Sequence, residues 1–269
     1  MSMVRLTFLG TGTSHGIPVI GCDCAVCTST DPRNQRYRAA VLVECQGKVL
    51  LVDTPPELRL QLLRAQVKRI DALLFTHTHA DHLFGLDDVR VFSGRQGPLP
   101  VYGTPRTLEN LRQQFFYIFA DTPMGGGKPQ LALQPIDPAD QPFVVAGVPV
   151  QPIPVFHGAT PVLGYRFGSV AYVTDTNNIP ESSLRLLADL DILVLDALRH
   201  RSHPTHFSIS EALAVVERVK PRQTFFTHIC HDLDHEVTNR SLPSGVELAY
   251  DGLSIEAGEG RCVVSSSHP

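Results

Sequence analysis

The sequence predicts an α/β fold of two mixed β-sheets packed face to face, with helices outside. Two observations carry this. Short apolar runs with strand character recur along all 269 residues, some as hairpin pairs and others alternating with helical-period segments. The chain is also 43% hydrophobic, enough for a sizeable core, yet no apolar run approaches the ~20 residues of a membrane span. In order, strands are expected near 4–9, 40–45, 48–52, 71–76, 148–155, 162–167, 170–174, 191–196, 224–228 and 246–250. Helices are expected near 56–66, 81–92, 105–118, 180–189, 208–219 and 232–240. Pro105 and Ser208 suit helix starts, and Ser208-Ile209-Ser210-Glu211 reads as a capping box. Residues 119–130, with Gly125-Gly126-Gly127, read as a flexible loop and a lid. No linker or low-complexity segment divides the chain, so one domain over residues 1–269 is expected.

A net charge of −4 offers no footprint for strong nucleic-acid binding. Val19-Ile20-Gly21-Cys22 resembles a lipoprotein cleavage box, but Gly10–Gly16 before it is not the ~7–15-residue apolar stretch a signal peptide needs. The expected location is the cytoplasm, with no membrane partner. Any protein partner is expected to be a second copy of the chain, as a homodimer.

The chemistry is concentrated in Thr76-His77-Thr78-His79-Ala80-Asp81-His82, which follows the apolar Ala72-Leu73-Leu74-Phe75. Imidazole nitrogen and carboxylate oxygen suit Zn²⁺, and also Mn²⁺ or Fe²⁺. Residues i and i+2 leaving a strand point the same way, so His77 and His79 can converge on one ion. A helix starting at Asp81 would turn Asp81 and His82 toward a second. Three further apolar runs end on possible ligands, at His157, Asp175 and His228.

Cys22, Cys24 and Cys27 form C-x-C-x-x-C. Disulfides cannot join three thiols, whereas a tetrahedral structural zinc would take them with a fourth ligand. His231, three residues after His228, is the best fourth candidate, with Cys230, Asp232 and His235 as competitors. Cys45 and Cys262 lie in apolar strands and read as ordinary buried residues.

The order H-x-H-x-D-H, His, Asp, His resembles the metallo-β-lactamase-fold hydrolases. That resemblance implies an αβ/βα four-layer sandwich with a metal site at one edge, between the sheets. By position, His77, His79 and His157 would hold one metal and Asp81, His82 and His228 the other, with Asp175 bridging. Leu9-Gly10-Thr11-Gly12-Thr13-Ser14-His15-Gly16-Ile17-Pro18, the cysteine cluster and Asp31-Pro32-Arg33-Asn34-Gln35-Arg36 narrow the likeness. They resemble the cyclic phosphodiesterase branch, whose best-known members cleave phosphoribosyl 1,2-cyclic phosphate in phosphonate breakdown. The branch implies a separate zinc site at Cys22, Cys24, Cys27 and His231, and a helper histidine. His206 fits by spacing and abuts the capping box, with His200 and His203 in the same loop.

The expected reaction is hydrolysis of a small, cyclic ribose phosphodiester by a hydroxide bridging two Zn²⁺, Mn²⁺ or Fe²⁺ ions. Asp81 and His206 are the expected catalytic residues, His206 giving a proton to the leaving alkoxide. Asp53 and Asp196, at strand ends, are expected to orient imidazoles. Three rivals differ in readable ways. A tRNA 3′-end-processing endonuclease needs a basic arm, but between His82 and His157 the cations Arg90, Arg95, Arg106, Arg112 and Lys128 are offset by Asp87, Asp88, Glu109, Asp121, Asp137 and Asp140. A thioester or lactam hydrolase would leave the cysteines without a counterpart. A non-catalytic metal-binding protein of cofactor biosynthesis would keep the cysteines but lose active-site ligands.

Overall fold

The computed structural model describes residues 3–121, 127–137, 142–258 and 261–266. Helices are α1 (Leu58–Arg64), α2 (Ala80–Leu83), α3 (Arg90–Gln96), α4 (Pro105–Gln114), α5 (Phe116–Phe119), α6 (Glu181–Leu186), α7 (Ile209–Val219) and α8 (His235–Ser241). Strands of the first half are β1 (Val4–Gly10), β2 (Ala40–Cys45), β3 (Lys48–Val52), β4 (Ala72–Leu74), β5 (Leu99–Gly103), β6 (Leu131–Pro135) and β7 (Phe143–Val145). Those of the second are β8 (Val148–His157), β9 (Thr160–Phe167), β10 (Val170–Val173), β11 (Ile192–Asp196), β12 (Gln223–Thr227), β13 (Val246–Leu248), β14 (Leu253–Gly258) and β15 (Arg261–Ser266).

They build an 8-stranded sheet, ordered β15-β14-β1-β2-β3-β4-β5-β6, and a 7-stranded sheet, ordered β13-β12-β11-β10-β9-β8-β7. Hairpins make the β2–β3, β7–β8, β8–β9, β9–β10 and β14–β15 pairs, β1 pairs antiparallel with the distant β2 and β14, and β3 to β6 and β10 to β13 run parallel with helices in their crossovers. Strand alternation sends Leu6, Phe8, Val43 and Leu50 inward to meet Tyr165, Tyr172, Val194 and Phe225. The opposite faces are covered by α1, α3 and α4 on one sheet and α6 and α7 on the other. The result is the four-layer αβ/βα sandwich.

Several expected elements differ. The strand expected over 71–76 is regular only from Ala72 to Leu74; the Phe75 amide still donates to Tyr102 O (2.9 Å), and the chain leaves the sheet toward the site after it. The helix expected over 81–92 is broken into α2, a 3₁₀ turn at Leu86–Val89 and α3. Gly85 is the cause: a Cβ there would stand 2.0 Å from the Pro55 carbonyl oxygen, so the chain changes direction against that loop. The strand expected over 246–250 ends at Leu248. Strands β5, β6, β7, β14 and β15 are additions to the expected set. Much of the expected glycine-rich loop, with Gly125 and Gly126, lies outside the described residues, as does the side chain of Cys262. Among the described residues no helix is long and apolar enough to cross a membrane.

Candidate active site

Parallel strands point their carboxyl ends to one edge of the sandwich, the place where open α/β sheets put their sites. β3 delivers Asp53, β4 delivers residues 76–82, β10 delivers Asp175, β11 delivers Asp196 and β12 delivers His228. Antiparallel β8 ends at the same edge with His157. The sheets are pinned there, since the Leu163 amide donates to Thr76 O (3.1 Å) and Tyr165 Oη to Phe75 O (2.7 Å). Asp53, Asp175 and His228 all have left-handed backbones, at φ 65°, 52° and 58°. Asp and His tolerate that region better than most residues. It turns the chain sharply at the strand end.

Two donor groups result: His77, His79, His157 and Asp175, and beside them Asp81, His82, Asp175 and His228. Ligand atoms within each lie within 4.8 Å of one another. Asp175 belongs to both, its Oδ1 standing 3.2 Å from His82 Nε2 and its Oδ2 3.3 Å from His228 Nε2 and 3.7 Å from His77 Nε2. Asp81 Oδ2 lies 3.5 Å from His82 Nε2 and 3.6 Å from His228 Nε2. Nε2 of His77, His82 and His228 is buried with no hydrogen-bond partner among the described residues. Orphaned buried nitrogens are costly, and a cation held between them would satisfy them. The donor set fits a pair of divalent ions.

The far sides of His77, His82 and His157 are tied down, whereas His228 Nδ1 is buried without a partner among the described residues. His82 Nδ1 donates to Asp53 Oδ2 (2.7 Å), and His77 Nδ1 reaches the same carboxylate through Thr76 Oγ1 (2.9 and 2.8 Å). His157 Nδ1 donates to Thr205 O (2.8 Å). With Nδ1 engaged, each of these three rings turns its Nε2 toward the site, where a metal would bind. Burial opposes ionisation of Asp81 and Asp175, but the surrounding imidazoles outweigh it and hold both carboxyls below the usual range. Burial also works against a charged His82, which Asp175, Asp81 and Asp53 overcome, raising it well above an ordinary histidine. In His77 burial prevails, aided by His82, and the ring is held neutral.

His206 lies against this site, its ring 4.6 Å from those of His157 and His228. Its Nδ1 donates to Asp196 Oδ2 (2.8 Å), which also accepts from the Thr176 amide. Burial is the largest influence on His206 and lowers it from the ordinary histidine value. His203 sits one ring further out, 5.2 Å from His206. The carbonyl of Thr205 and the hydroxyl of Thr76 had no sequence signal, because any residue supplies a carbonyl and a lone Thr at a strand end is common.

The cysteine cluster forms a separate group. Cys22, Cys24 and Cys27 Sγ stand 3.3, 3.5 and 3.4 Å from His231 Nδ1. A tetrahedral zinc site has S···N edges of about 3.5 Å, so the spacing fits. The Cys27 amide donates to Cys24 Sγ and lowers that thiol to about 6, while burial pushes Cys27 up to about 11. The competitors are engaged elsewhere: Cys230 Sγ accepts from the Asp232 amide, Asp232 pairs with Arg201, and His235 packs on Arg36.

Residues 48–229 match the family described as Beta-lactamase superfamily domain. A crystal structure of a new diphosphatase from the PhnP family superposes with a TM-score of 0.89 at 46% identity, covering 96% of this chain and 98% of that one. An octanoyltransferase of Porphyromonas gingivalis is 36% identical over 253 residues, 93% of this chain and 51% of that protein. A ribonuclease Z of Methanosarcina acetivorans is 30% identical over 112 residues, 40% of this chain and 32% of that protein. The chain thus spans about half the length of the first curated relative and about a third of the second. With the fold, the edge site and these matches together, the chain belongs to the β-lactamase superfamily, in the PhnP family, and has the metallo-β-lactamase fold.

Proposed function

We propose that this chain is a metal-dependent phosphodiesterase acting on small substrates, cyclic ribose phosphates among them, and that residues 1–269 form its single catalytic domain. The observation that carries this reading is Asp175, shared between two donor groups whose buried imidazole nitrogens lack partners. His77, His79 and His157 would hold one divalent ion, Zn, Mn or Fe, and Asp81, His82 and His228 the other. Bound there, the ions would supply Lewis-acid charge and a more acidic water. In the hydrolysis, the water oxygen bonds to phosphorus, the ester P–O bond breaks and the leaving oxygen ends with a proton. The attacking water gives up a proton to solvent, and His206 would donate one from Nε2 to the leaving oxygen, while Asp196 steadies the ring at Nδ1. Asp53 keeps the His82 and His77 rings turned inward. Cys22, Cys24, Cys27 and His231 would hold a structural zinc.

The tRNA endonuclease reading is less well supported. Among the described residues between His82 and His157, Arg90 pairs with Asp87 (3.0 Å), Arg112 lies over the Phe119 ring and Lys128 caps the Tyr117 and Ala120 carbonyls. The acidic Asp87, Asp88, Glu109, Asp121, Asp137 and Asp140 of the same segment outnumber its cations, so it carries no net positive charge to grip a tRNA. The octanoyltransferase name describes a protein half of which this chain does not match.

The test is metal analysis and a hydrolysis panel on one preparation. About three metal ions per chain are expected, with cleavage of cyclic and nitrophenyl phosphodiesters but not of β-lactams or S-lactoylglutathione. One ion or fewer in folded protein, or no phosphodiester cleavage, would overturn the reading.

A further inference from the structure

The cysteine group sits in a segment with little regular structure. Between β1 and β2, residues 11–39 form loops and one 3₁₀ turn at Pro32–Asn34. Apolar packing there is slight: Ile17, Val26 and Cys27 are buried, with Val19, Cys22 and Cys24 half-buried against them. Three of those six residues are the candidate zinc ligands themselves, so the ion, more than a core, would hold the segment in place. The fourth ligand, His231, lies 204 to 209 positions further along the chain. It belongs to the turn after β12, three residues from His228. That turn is also tied to the His206 loop. The Cys230 amide donates to Leu198 O (3.0 Å), and the Leu198 amide donates to Phe207 O (2.9 Å). Cys22 and Cys24 are half-exposed, whereas Cys45 is buried on β2.

We propose that Cys24 and Cys27 are an oxidisable pair, and that their disulfide expels the zinc and loosens the turn carrying His228, which makes the cysteine group a peroxide-sensitive switch. The inference rests on the structural-zinc reading and goes beyond it. Geometry selects the pair. C-x-x-C is the spacing at which two thiols of one turn join readily, and the three sulfurs lie within 4.8 Å of one another. The turn is formed: the Thr28 amide donates to Cys24 O (3.0 Å), and the Cys27 amide to Cys24 Sγ (3.4 Å). Cys24 is the accessible partner and Cys27 the buried one, which suits the first to meet an oxidant and the second to resolve it. The Cys24 thiolate attacks hydrogen peroxide, so an S–O bond forms, the O–O bond breaks and the departing hydroxide takes a proton to become water. The Cys27 thiolate then attacks the Cys24 sulfur. An S–S bond forms, the S–O bond breaks and a second hydroxide leaves as water. Two thiolates, one peroxide and two protons thus give one disulfide and two waters. Zinc keeps Cys22 and His231 alone from the group, and two protein donors hold it far more weakly than four. The turn loses its clamp and rests on the backbone bonds to Thr11, Thr13 and Leu198.

The experiment treats the full chain, loaded with metal, with hydrogen peroxide in slight molar excess. Zinc release is followed with a chromogenic chelator, the disulfide by peptide mapping, and the turn by amide hydrogen exchange of residues 226–233. One zinc released per chain and a Cys24–Cys27 disulfide are expected, with exchange at Ile229 and Cys230 about tenfold faster. Cleavage of bis(4-nitrophenyl) phosphate should fall in parallel, and dithiothreitol with added zinc should reverse every change. Cys230→Ser should respond as wild type does, and a lost response there would move the oxidation to Cys230 and overturn the pair. Retained zinc with free thiols after treatment would overturn the proposal outright. Zinc release with unchanged exchange in the turn would leave the cysteines oxidisable but uncoupled from the site, and the switch would fail. Zinc release, mapping and exchange are read without turnover, so they decide the matter whatever the substrate proves to be. An untreated protein holding no more zinc than Cys24→Ser would instead refute the structural-zinc reading itself.

Discussion

At the residue scale, the site depends on carboxylates placed so that imidazoles can turn one nitrogen to a metal. Asp175 lies between His77, His82 and His228, so Asp175→Ala removes the group common to both halves of the cluster. Activity should be abolished and elemental analysis should show metal lost from the active site, while circular dichroism stays native. Retention of full activity would mean that the ion pair is not organised around Asp175. His206 contributes differently, because its Nδ1 is already committed to Asp196 and only Nε2 can exchange a proton with substrate. His206→Ala should therefore slow an alkoxide-leaving cyclic phosphate by about 10²–10⁴-fold, the usual scale of proton-transfer help. Bis(4-nitrophenyl) phosphate, whose nitrophenolate departs without a proton, should lose much less. Equal losses on both would assign His206 to binding the phosphoryl group instead.

At the scale of elements, the N-terminal segment and the loop after β12 brace one another. Gly12 bridges both Arg38 and Ile229, Thr13 N donates to Ile229 O (3.1 Å), and the Ile229 amide donates to Thr11 O (2.9 Å). Gly10 is required for that approach, since a Cβ there would fall 2.0 Å from Arg38 O. One short loop thus carries His228 toward the active site and His231 toward the cysteines. Cys24→Ser should release zinc and lower the Tm, because structural zinc contributes folding free energy directly. Unchanged zinc content and Tm would show that the thiols are ordinary packing residues. Helix α7 was readable to the residue, since the Ser208–Glu211 capping box is a local signal, with Ser208 Oγ and the Glu211 carboxylate each bonded to the other's amide. The β14–β15 hairpin was less so, although Leu253, Ile255 and Ala257 alternate with Ser254 and Glu256. Edge strands β6 and β7 give weak signals, being short, partly exposed and, in β6, ended by Pro135.

Across the whole molecule, Arg36 is the charge that knits the terminal segments together. It is 2% exposed and bonds Thr11 Oγ1 (2.7 Å), Ala249 O (2.5 Å) and His235 Nδ1 (3.2 Å). Burial, then Arg36 and Arg33, lowers His235 to about 4 in the folded protein, against about 6.5 in an unfolded chain. Between those values the unfolded state binds the extra proton. Stability should be full above about pH 6.5 and fall as the pH drops toward 4, and each pKa unit is worth about 1.4 kcal/mol. Asp31 and Asp234, lowered by Arg33 and by the Val237 amide, extend the loss to still lower pH, while buried Asp251, raised, acts in the opposite sense. Urea unfolding at pH 7 and pH 5 checks this. His235→Gln should flatten the slope, and an equal slope in both proteins would assign the acid sensitivity to other groups.

The metal-donor order, the C-x-C-x-x-C spacing and the strand–helix alternation are local or periodic properties, so the sequence alone determined them. Whether His231 or Cys230 closes the cysteine group, and that His206 stands over the site with Asp196 behind it, was decided only in three dimensions. Those choices turn on left-handed strand ends and on a loop bonded across some 200 positions of chain, as Thr11 is to Ile229. The same holds for Arg36. A solitary arginine carries no periodicity, and its role is set by which carbonyls and carboxylates the fold brings to it.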